Sequence, residues 1–286
     1  PLALAAALER DEADVLIACQ GAWAVRPALR LLARPPALIE YGSLVQEVSL
    51  TPKEGVVAYI GSNRAVCEAA SRFLPEPGRV VYLPAMVDLE AFARHQRPAA
   101  RRELRAGPRD FLFGWVGRLE RKQRVEDLLR AAAKIARPFP EARFVIIGGP
   151  DPFMPEYEGE LRARARSLGL GDRVLFTGYR SDVPRLMTAL DALVWCSRGE
   201  GIPHVVVEAG AAGLPAIVTP EADLRHALRD EHDCLFSPYA DPDALARRMA
   251  RLLRDRELGA ALGRAIELAL DTAPQETRRV AAECAE

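Results

Sequence analysis

The feature that most constrains the fold is an alternation of short β-branched runs with helical patterns along the chain. Runs such as VVAYIG and ARFVIIGG have the length and composition of buried strands, and stretches such as VEDLLRAAAKIA have helical periodicity. Strands that alternate with helices form parallel sheets with right-handed crossovers, so the sequence predicts an α/β protein. The first four predicted strands, expected to be buried, are 14–19, 36–41, 56–61 and 79–84. The others are 111–117, 142–149, 173–178, 191–197, 215–219 and 234–236.

Two runs of this alternation are separated by a polar, basic segment at 87–110. We expect two Rossmann-like lobes joined by this segment. The predicted organisation is a first lobe with its linker at 1–107, a second lobe at 108–270 and a final helix at 271–286 returning toward the first lobe. The first lobe has fewer candidate strands, so we expect it to be incomplete. The predicted helices are 24–33, 63–74 (with Asn63 as N-cap and Ser62 as the alternative), 125–136, 156–170, 183–190, 222–229, 243–255 and 256–270.

Charge and cysteine usage exclude several classes of protein. The chain has 39 basic and 40 acidic residues, without the basic surplus of a nucleic-acid-binding protein. Its five cysteines form no CxxC pair, and its four histidines show no HxxxH or HExxH spacing. We therefore expect no metal site and no disulfide framework, and reduced thiols in the cytoplasm. The basic segment 94–109 leaves a peripheral membrane contact open, although a solvated linker is the favoured interpretation.

One motif, SRGEGIPHVVVEAGAAGLP at 197–215, follows a predicted strand. Pro203 suits the first turn of a helix, whose free amides near His204 would bind an anion with the help of the helix dipole. Glu208 lies one turn deeper on the same face, and Glu200 lies on the loop before the helix. This arrangement suits a nucleotide sugar, with the pyrophosphate at the helix end, ribose at Glu208 and sugar hydroxyls at Glu200. The alternative is that both glutamates are solvated charges.

A second motif, FGWVGRLERKQ at 113–123, places two cations after a strand. Arg118 and Lys122 could neutralise phosphate oxygens. The alternative is an ordinary basic turn, because Arg121 and Arg124 stand beside them. The chain has neither GxGxxG nor G-x4-GK[ST] in this region, which argues against a dehydrogenase and a P-loop kinase.

Together the motifs resemble those of a known family. VGRLERK, followed about 80 residues later by S-x-x-EG-x-P-x5-EA-x3-G-x-P, resembles the family-4 retaining glycosyltransferases of the GT-B fold. LTPKEGVVAYIGSNRAVCEAASRFL and VVYLPAMVDLEAF resemble the end of that family's first lobe. The resemblance implies two Rossmann-like lobes facing a cleft, the first on the acceptor side and the second binding the donor. It implies transfer of a sugar from a nucleotide-diphosphate donor (UDP or GDP) with retention of configuration and without a metal or other cofactor.

The resemblance also implies roles for particular residues. Arg118 and Lys122 would contact the donor pyrophosphate, Glu200 would bind the sugar hydroxyls, and these three would be the catalytic residues. Glu208 would bind the ribose. Backbone amides of the loop and helix start would bind sugar and phosphate, and the loop at 177–180 would lie by the base. The remaining binding residues would be Gly178, Tyr179, Arg180, Gly201, Ile202, Pro203, His204 and Val205.

The sequence also departs from that family. Gln123 stands where the family commonly has a glycine after the lysine, and Cys19 or Gln20 stands where a histidine is usual. Two other functions are therefore kept. One is an inactive nucleotide-sugar-binding module, and the other is a glycoside hydrolase with Glu200 and Glu208 as its acid/base pair. The acceptor is unidentified and could be a saccharide, a lipid or a small molecule.

Overall fold

In the computed structural model the chain forms two compact units, each with one parallel β-sheet. The structure describes residues 1–19, 22–50, 52–76, 78–83, 87–198, 203–220, 222–266 and 269. The first unit lies within residues 1–85, and the described residues from 87 onward belong to the second. The strands that the structure describes all pair in parallel, so the prediction of an α/β fold with two parallel sheets is confirmed. The predicted helix at 271–286 lies outside the described residues.

The first unit contains a four-stranded sheet in the order β1-β2-β3-β4. Its strands are β1 (Val15–Cys19), β2 (Ala37–Gly42), β3 (Val56–Gly61) and β4 (Val80–Tyr82). Its helices are α1 (Leu2–Arg10), α2 (Ala22–Leu29), α3 (Val45–Val48) and α4 (Arg64–Ser71). The core of the unit includes Leu38, Val56 and Tyr59. The strands occur where the β-branched runs predict them.

β1 differs from the prediction that all of these strands are buried. Val15 and Ile17 are each 52% exposed. Among the described strands, β1 pairs with β2 alone and lies at the edge of the sheet. Every second residue of an edge strand can face solvent when that face is not covered, so an apolar run alone does not establish burial.

The predicted N-cap of α4 is confirmed. Asn63 Oδ1 accepts a hydrogen bond from the Val66 amide at 2.8 Å, and Asn63 Nδ2 donates to the Ser43 carbonyl at 3.1 Å. We expect Asn63→Ala to lower the free energy of unfolding by about 1–2 kcal/mol, because it removes the cap from a buried position. Ser71→Ala is the matched control, since Ser71 Oγ donates to the Cys67 carbonyl at an exposed site. Urea denaturation of both variants checks this, and equal midpoints would contradict it.

The second unit contains a six-stranded sheet in the order β10-β9-β8-β5-β6-β7. Its strands are β5 (Phe111–Val116), β6 (Ala142–Ile147), β7 (Val174–Phe176), β8 (Ala192–Trp195), β9 (Ala216–Val218) and β10 (Leu235–Phe236). Its helices are α5 (Arg97–Glu103), α6 (Val125–Ala136), α7 (Tyr157–Ser167), α8 (Val183–Met187), α9 (His204–Ala211), α10 (Ala222–Ala227) and α11 (Pro242–Arg254), and residues 256–266 are also helical. Phe113, Trp115 and Phe144 are fully buried at its centre. None of the described helices combines the length and hydrophobicity needed to cross a membrane.

Helix α5 corrects the interpretation of 94–109 as a solvated linker. Arg101 donates to the Ala189 carbonyl and to Asp191 Oδ2, both at 3.0 Å. Arg97 donates to the carbonyls of Thr188 and Leu190, both at 2.6 Å, and also pairs with Asp191. The helix is therefore attached to the turn between α8 and β8, and these two guanidinium groups are bound within the second unit.

Candidate functional site

The two predicted motifs follow β5 and β8, the two strands at which the order of strand addition in the second sheet reverses. From β5 the chain moves outward through β6 to β7, and from β8 it moves the other way through β9 to β10. β5 and β8 are paired with each other. In open parallel sheets, ligands bind beyond the carboxyl ends of the strands at such a switch point. Arg118 lies two residues after β5 and the motif at 197–215 begins two residues after β8, so both lie at this edge.

Two carboxylates hold Arg118 at this edge. Its Nη2 lies 2.5 Å from Glu120 Oε1, and its Nε lies 3.1 Å from Asp151 Oδ2. Both acids are largely buried, whereas the Arg118 side chain is 59% exposed. Lys122 Nζ lies 3.5 Å from the second oxygen of Glu120. The two cations predicted to bind phosphate therefore converge on one acid, and both remain accessible from solvent.

The turn that carries Lys122 is bound to the end of β8. Ser197 Oγ donates to the Lys122 carbonyl at 3.3 Å. Cys196 Sγ donates to the carbonyls of Gln123 and Arg124 at 3.3 and 3.4 Å. Burial raises the pKa of the Cys196 thiol, which keeps it protonated and able to donate. The first motif is thus joined by hydrogen bonds to the start of the second.

Within this turn the left-handed residue is Arg124, with φ 54° and ψ 36°. Glycine is the residue expected where the backbone is left-handed. The glycine-like position therefore comes one residue later than Gln123, where the resemblance located it. Gln123 is buried and directly precedes that position. The role of Lys122 stays a prediction that rests on its charge and its place beside Glu120.

Glycines allow the turns after β5, β6 and β7 to approach one another. Gly148 has φ 142°, and a Cβ on it would lie 1.8 Å from the Gly117 carbonyl oxygen. The Gly148 amide donates to the Gly178 carbonyl at 3.1 Å, and the Leu119 amide donates to the Gly149 carbonyl at 2.9 Å. The turn that carries Arg118 is thus connected through the β6 turn to the loop after β7.

That loop presents an exposed aromatic side chain. Tyr179 is 83% exposed, and its Cβ lies 3.4 Å from where a Cβ on Gly149 would be. Arg180 donates through Nε and Nη2 to the two oxygens of Asp182, at 2.8 and 2.9 Å. Its Nη2 also lies 2.7 Å from Glu103 Oε1. Tyr179 thus lies beside the β6 turn, while the guanidinium of Arg180 is occupied by carboxylates.

Helix α9 begins at His204, one residue later than predicted. Pro203 has extended backbone, with φ −66° and ψ 132°, and is the N-cap. The Val206 amide donates to the Pro203 carbonyl at 3.0 Å. His204 is exposed and Val205 is half-buried, and the first amides of a helix have no partner within the helix. Three further predicted residues lie outside the described residues: Glu200, Gly201 and Ile202.

Glu208 differs from a solvated surface acid. It is half-buried on α9, and burial raises its pKa above the ordinary value for a glutamate. The electrostatic effect of His204 partly opposes this rise. A carboxyl group that is partly desolvated is suited to accept hydrogen bonds from hydroxyl donors. This partial burial argues against the alternative of a fully solvated charge for Glu208, and its role in binding ribose stays a prediction.

Metal ligands do not gather in the part of the chain that the structure describes. No group of three histidine, cysteine, aspartate or glutamate side chains there is placed to hold an ion. The four described cysteines are free. That the reaction needs no metal remains a prediction.

Comparison with protein families identifies the chain. The family described as Glycosyl transferases group 1 matches residues 96–268, which is more than half of the chain. The chain belongs to this family. The membership confirms the resemblance to a glycosyltransferase family that the two motifs carry. A group 1 glycosyl transferase is a sugar-transferring enzyme, so the family gives no support to the glycoside-hydrolase alternative.

Relatives of this group 1 glycosyl transferase carry a more specific name. Two proteins named D-inositol 3-phosphate glycosyltransferase match it, one from Mycobacterium sp. (strain KMS) and one from Salinispora tropica. The first is 34% identical over 157 residues and the second 33% identical over 206 residues. The matches cover 54% and 68% of this chain but only 35% and 42% of these relatives. The chain thus spans less than half of their length.

A solved structure confirms the GT-B type of fold for the group 1 glycosyl transferase. Anabaena HepE, crystallised in complex with UDP and glucose, superimposes with a TM-score of 0.85 at 19% sequence identity. The superposition covers 99% of this chain and 81% of that chain. At this identity the likeness establishes the fold alone.

The sequence analysis did not identify the acids that hold Arg118 and Arg180 in place. Glu120 lies inside the motif at 113–123, between Arg118 and Lys122, and was assigned no role. Asp151 follows the Gly-Gly-Pro turn after β6, and an acid at the carboxyl end of a strand next to β5 is the signal that could have found it. Glu103 lies in the segment interpreted as a linker, and its sequence carries no signal for its contact with Arg180.

Proposed function

We propose that this group 1 glycosyl transferase moves a sugar from a nucleoside diphosphate donor to a hydroxyl acceptor, with retention of configuration and without a metal. The observation that carries the proposal is the convergence of Arg118 and Lys122 at the carboxyl end of β5, hydrogen-bonded through their turn to the end of β8 that leads to α9. Such a junction of cations and a helix start suits a diphosphate.

The chemistry follows from where charge develops. As the bond between the sugar C1 and the phosphate oxygen breaks, negative charge accumulates on the leaving diphosphate. Arg118, Lys122 and the amides at the start of α9 would stabilise that charge. The acceptor oxygen forms its bond to C1 on the same face of the sugar, and its proton passes to the leaving phosphate. No nucleophile of the protein is needed, and Glu200 would orient the sugar through its hydroxyl groups.

The donor proposal extends to its other parts. Glu208 would accept hydrogen bonds from ribose hydroxyls, and the loop from Gly178 to Arg180 would lie by the base. UDP is the first donor nucleotide to test, because HepE was solved with UDP, and GDP is the second. The relatives' name makes a phosphorylated cyclitol the first acceptor to test, followed by saccharides and lipids. A cytoplasmic location, and a membrane contact through the exposed Arg102, Arg105 and Arg109, remain predictions.

Calorimetric titration of the chain with UDP, GDP and ADP tests the donor site. We expect one uridine or guanosine nucleotide to bind with micromolar Kd. A chain that binds the nucleotide but never transfers the sugar from its nucleotide sugar, with any acceptor class, would instead be an inactive binding module. If none of the three nucleotides binds, the proposal is wrong for this chain.

Glu208 gives the nucleotide affinity a pH dependence. Its pKa is raised in the free protein, so on acidification it loses its charge at a higher pH than an ordinary glutamate. Hydroxyl donors of a ribose favour the carboxylate, so we expect Kd to rise as the pH falls through this raised pKa. Glu208→Gln removes the titration and should give a Kd that is about tenfold weaker at neutral pH and flat with pH in this range. Glu90→Gln, at an exposed position in the short helical turn at Leu89–Phe92, serves as a control. A wild-type pH profile identical to that of Glu208→Gln would contradict the role.

A further inference from the structure

We infer that Glu103 is a positioning residue for the nucleotide site: it fixes the loop that carries Tyr179 by holding Arg180 from helix α5. This inference rests on the proposed function, since it concerns the same site. Glu103 lies 77 residues before Arg180 in the chain and outside both motifs. It makes Arg180, which the resemblance assigns to base binding, a brace for the loop.

Four charged side chains form the brace. Glu103 Oε1 lies 2.7 Å from Arg180 Nη2, and Glu103 Oε2 accepts from Arg185 Nη2 at 2.6 Å. Asp182 accepts the fork of Arg180 and also a bond from Arg185 Nε at 2.9 Å. Two acids and two arginines thus alternate in one network. Hydrogen bonds from the arginines lower the pKa of Glu103 and of Asp182, so both remain charged at neutral pH.

The helix that presents Glu103 is itself anchored. Arg97 and Arg101 bind Asp191 and three carbonyl groups in the turn before β8. Ala100 within the helix and Leu104 at its C-cap are also buried. Glu103 therefore acts from a fixed helix and can restrain the loop after β7.

The brace holds one end of a short stretch whose other end is held by the sheet. The Gly178 carbonyl accepts from the Gly148 amide at 3.1 Å, and the Arg180 side chain is held by Asp182 and Glu103. Tyr179 lies between these two anchors, exposed beside Gly149. A loop fixed at both ends can present an aromatic face, or its own backbone, to a planar base without loss of loop entropy on binding.

Stability alone does not require this network. The four side chains are 27–38% exposed. Ion pairs at this exposure contribute little to the free energy of folding. Loss of the Glu103 carboxylate should therefore change ligand binding more than it changes the melting temperature.

The test compares Glu103→Gln with Glu231→Gln. Glu231 Oε1 also accepts from two arginines, Arg248 and Arg251, both at 2.7 Å, but it precedes β10 and so lies toward the amino ends of the strands. With the full chain and the nucleotide that the wild type binds, we expect Glu103→Gln to raise Kd about three- to tenfold and Glu231→Gln to leave it unchanged. Competition by inorganic pyrophosphate should be the same in both variants, because the brace acts on the base end of the site. Their Tm values should agree.

Arg180→Gln separates a brace from a ligand. If Arg180 is a brace, Arg180→Gln should raise Kd as much as Glu103→Gln does. The double variant should then have the same Kd as either single variant. An additive double variant, or an Arg180→Gln effect far above that of Glu103→Gln, would make Arg180 a direct ligand and overturn the inference. Equal Kd for Glu103→Gln and Glu231→Gln would also overturn it, as would a Glu103→Gln variant with lower Tm and weakened pyrophosphate competition. Failure of the wild type to bind any nucleotide would instead overturn the proposed function.

Discussion

Gly148→Ala is expected to abolish nucleotide binding and to destabilise the second unit by about 3 kcal/mol or more. The added Cβ would lie 1.8 Å from the Gly117 carbonyl oxygen, which is a backbone atom that cannot rotate away. Gly148 also has φ 142°, a conformation that an alanine adopts only with strain. The turn after β6 must therefore move away from the turn after β5. The turn after β5 carries Arg118 and Glu120, and Asp151 follows the turn after β6. Separation of the two turns would therefore displace the cations predicted to bind phosphate.

Gly159→Ala is the matched control for this prediction. Gly159 lies within α7, and a Cβ on it would meet no atom within 4 Å. Alanine favours a helix over glycine, so this variant should be as stable as the wild type or about 0.5–1 kcal/mol more stable. Thermal unfolding and nucleotide titration of both variants check the pair. Wild-type Tm and Kd for Gly148→Ala would show that the approach of these two turns is not required.

Arg118→Ala is expected to lower kcat for sugar transfer about 10²–10³-fold. Arg118 can donate several hydrogen bonds in one plane, and its guanidinium is the exposed member of a cluster with two largely buried acids. Charge on the leaving diphosphate increases in the transition state, so the loss should appear more in kcat than in KM. Arg118→Lys keeps the charge but not the fork and should recover only part of the rate.

Arg121→Ala is the control within the same turn. Arg121 pairs with Glu160 at 2.8 Å and lies over the Tyr157 ring, so it is directed to α7. Its removal should leave kcat within about twofold of the wild type, in line with a surface substitution. Steady-state kinetics of all three variants with the identified donor decides. Equal rates for Arg118→Ala and Arg121→Ala would remove Arg118 from the mechanism, and Tm values verify that each variant folds.

Local order in both units could be read directly from the sequence. Helix α6 has the predicted bounds, 125–136, because its apolar residues follow helical periodicity and the turn after β5 ends where the helix begins. The N-cap at Asn63 is local for the same reason, since the side chain binds an amide three residues away. The burial of β1 was predicted wrongly because burial depends on which elements cover a strand, and the strand's own composition does not contain that information.

The features of the site likewise divide into those that the sequence predicts and those that depend on tertiary contacts. The sequence by itself determined the alternation that makes parallel sheets, the two motifs and the acid–proline–helix order at the end of β8. Only the tertiary structure decided that β5 and β8 are neighbours, that Glu120 and Asp151 hold Arg118, that the left-handed residue is Arg124 and that Glu103 restrains Arg180. The physical reason is range. Periodicity and capping act over a few residues, whereas these contacts join side chains and backbone from separate strands and helices, whose proximity follows from the order of strands in the sheet.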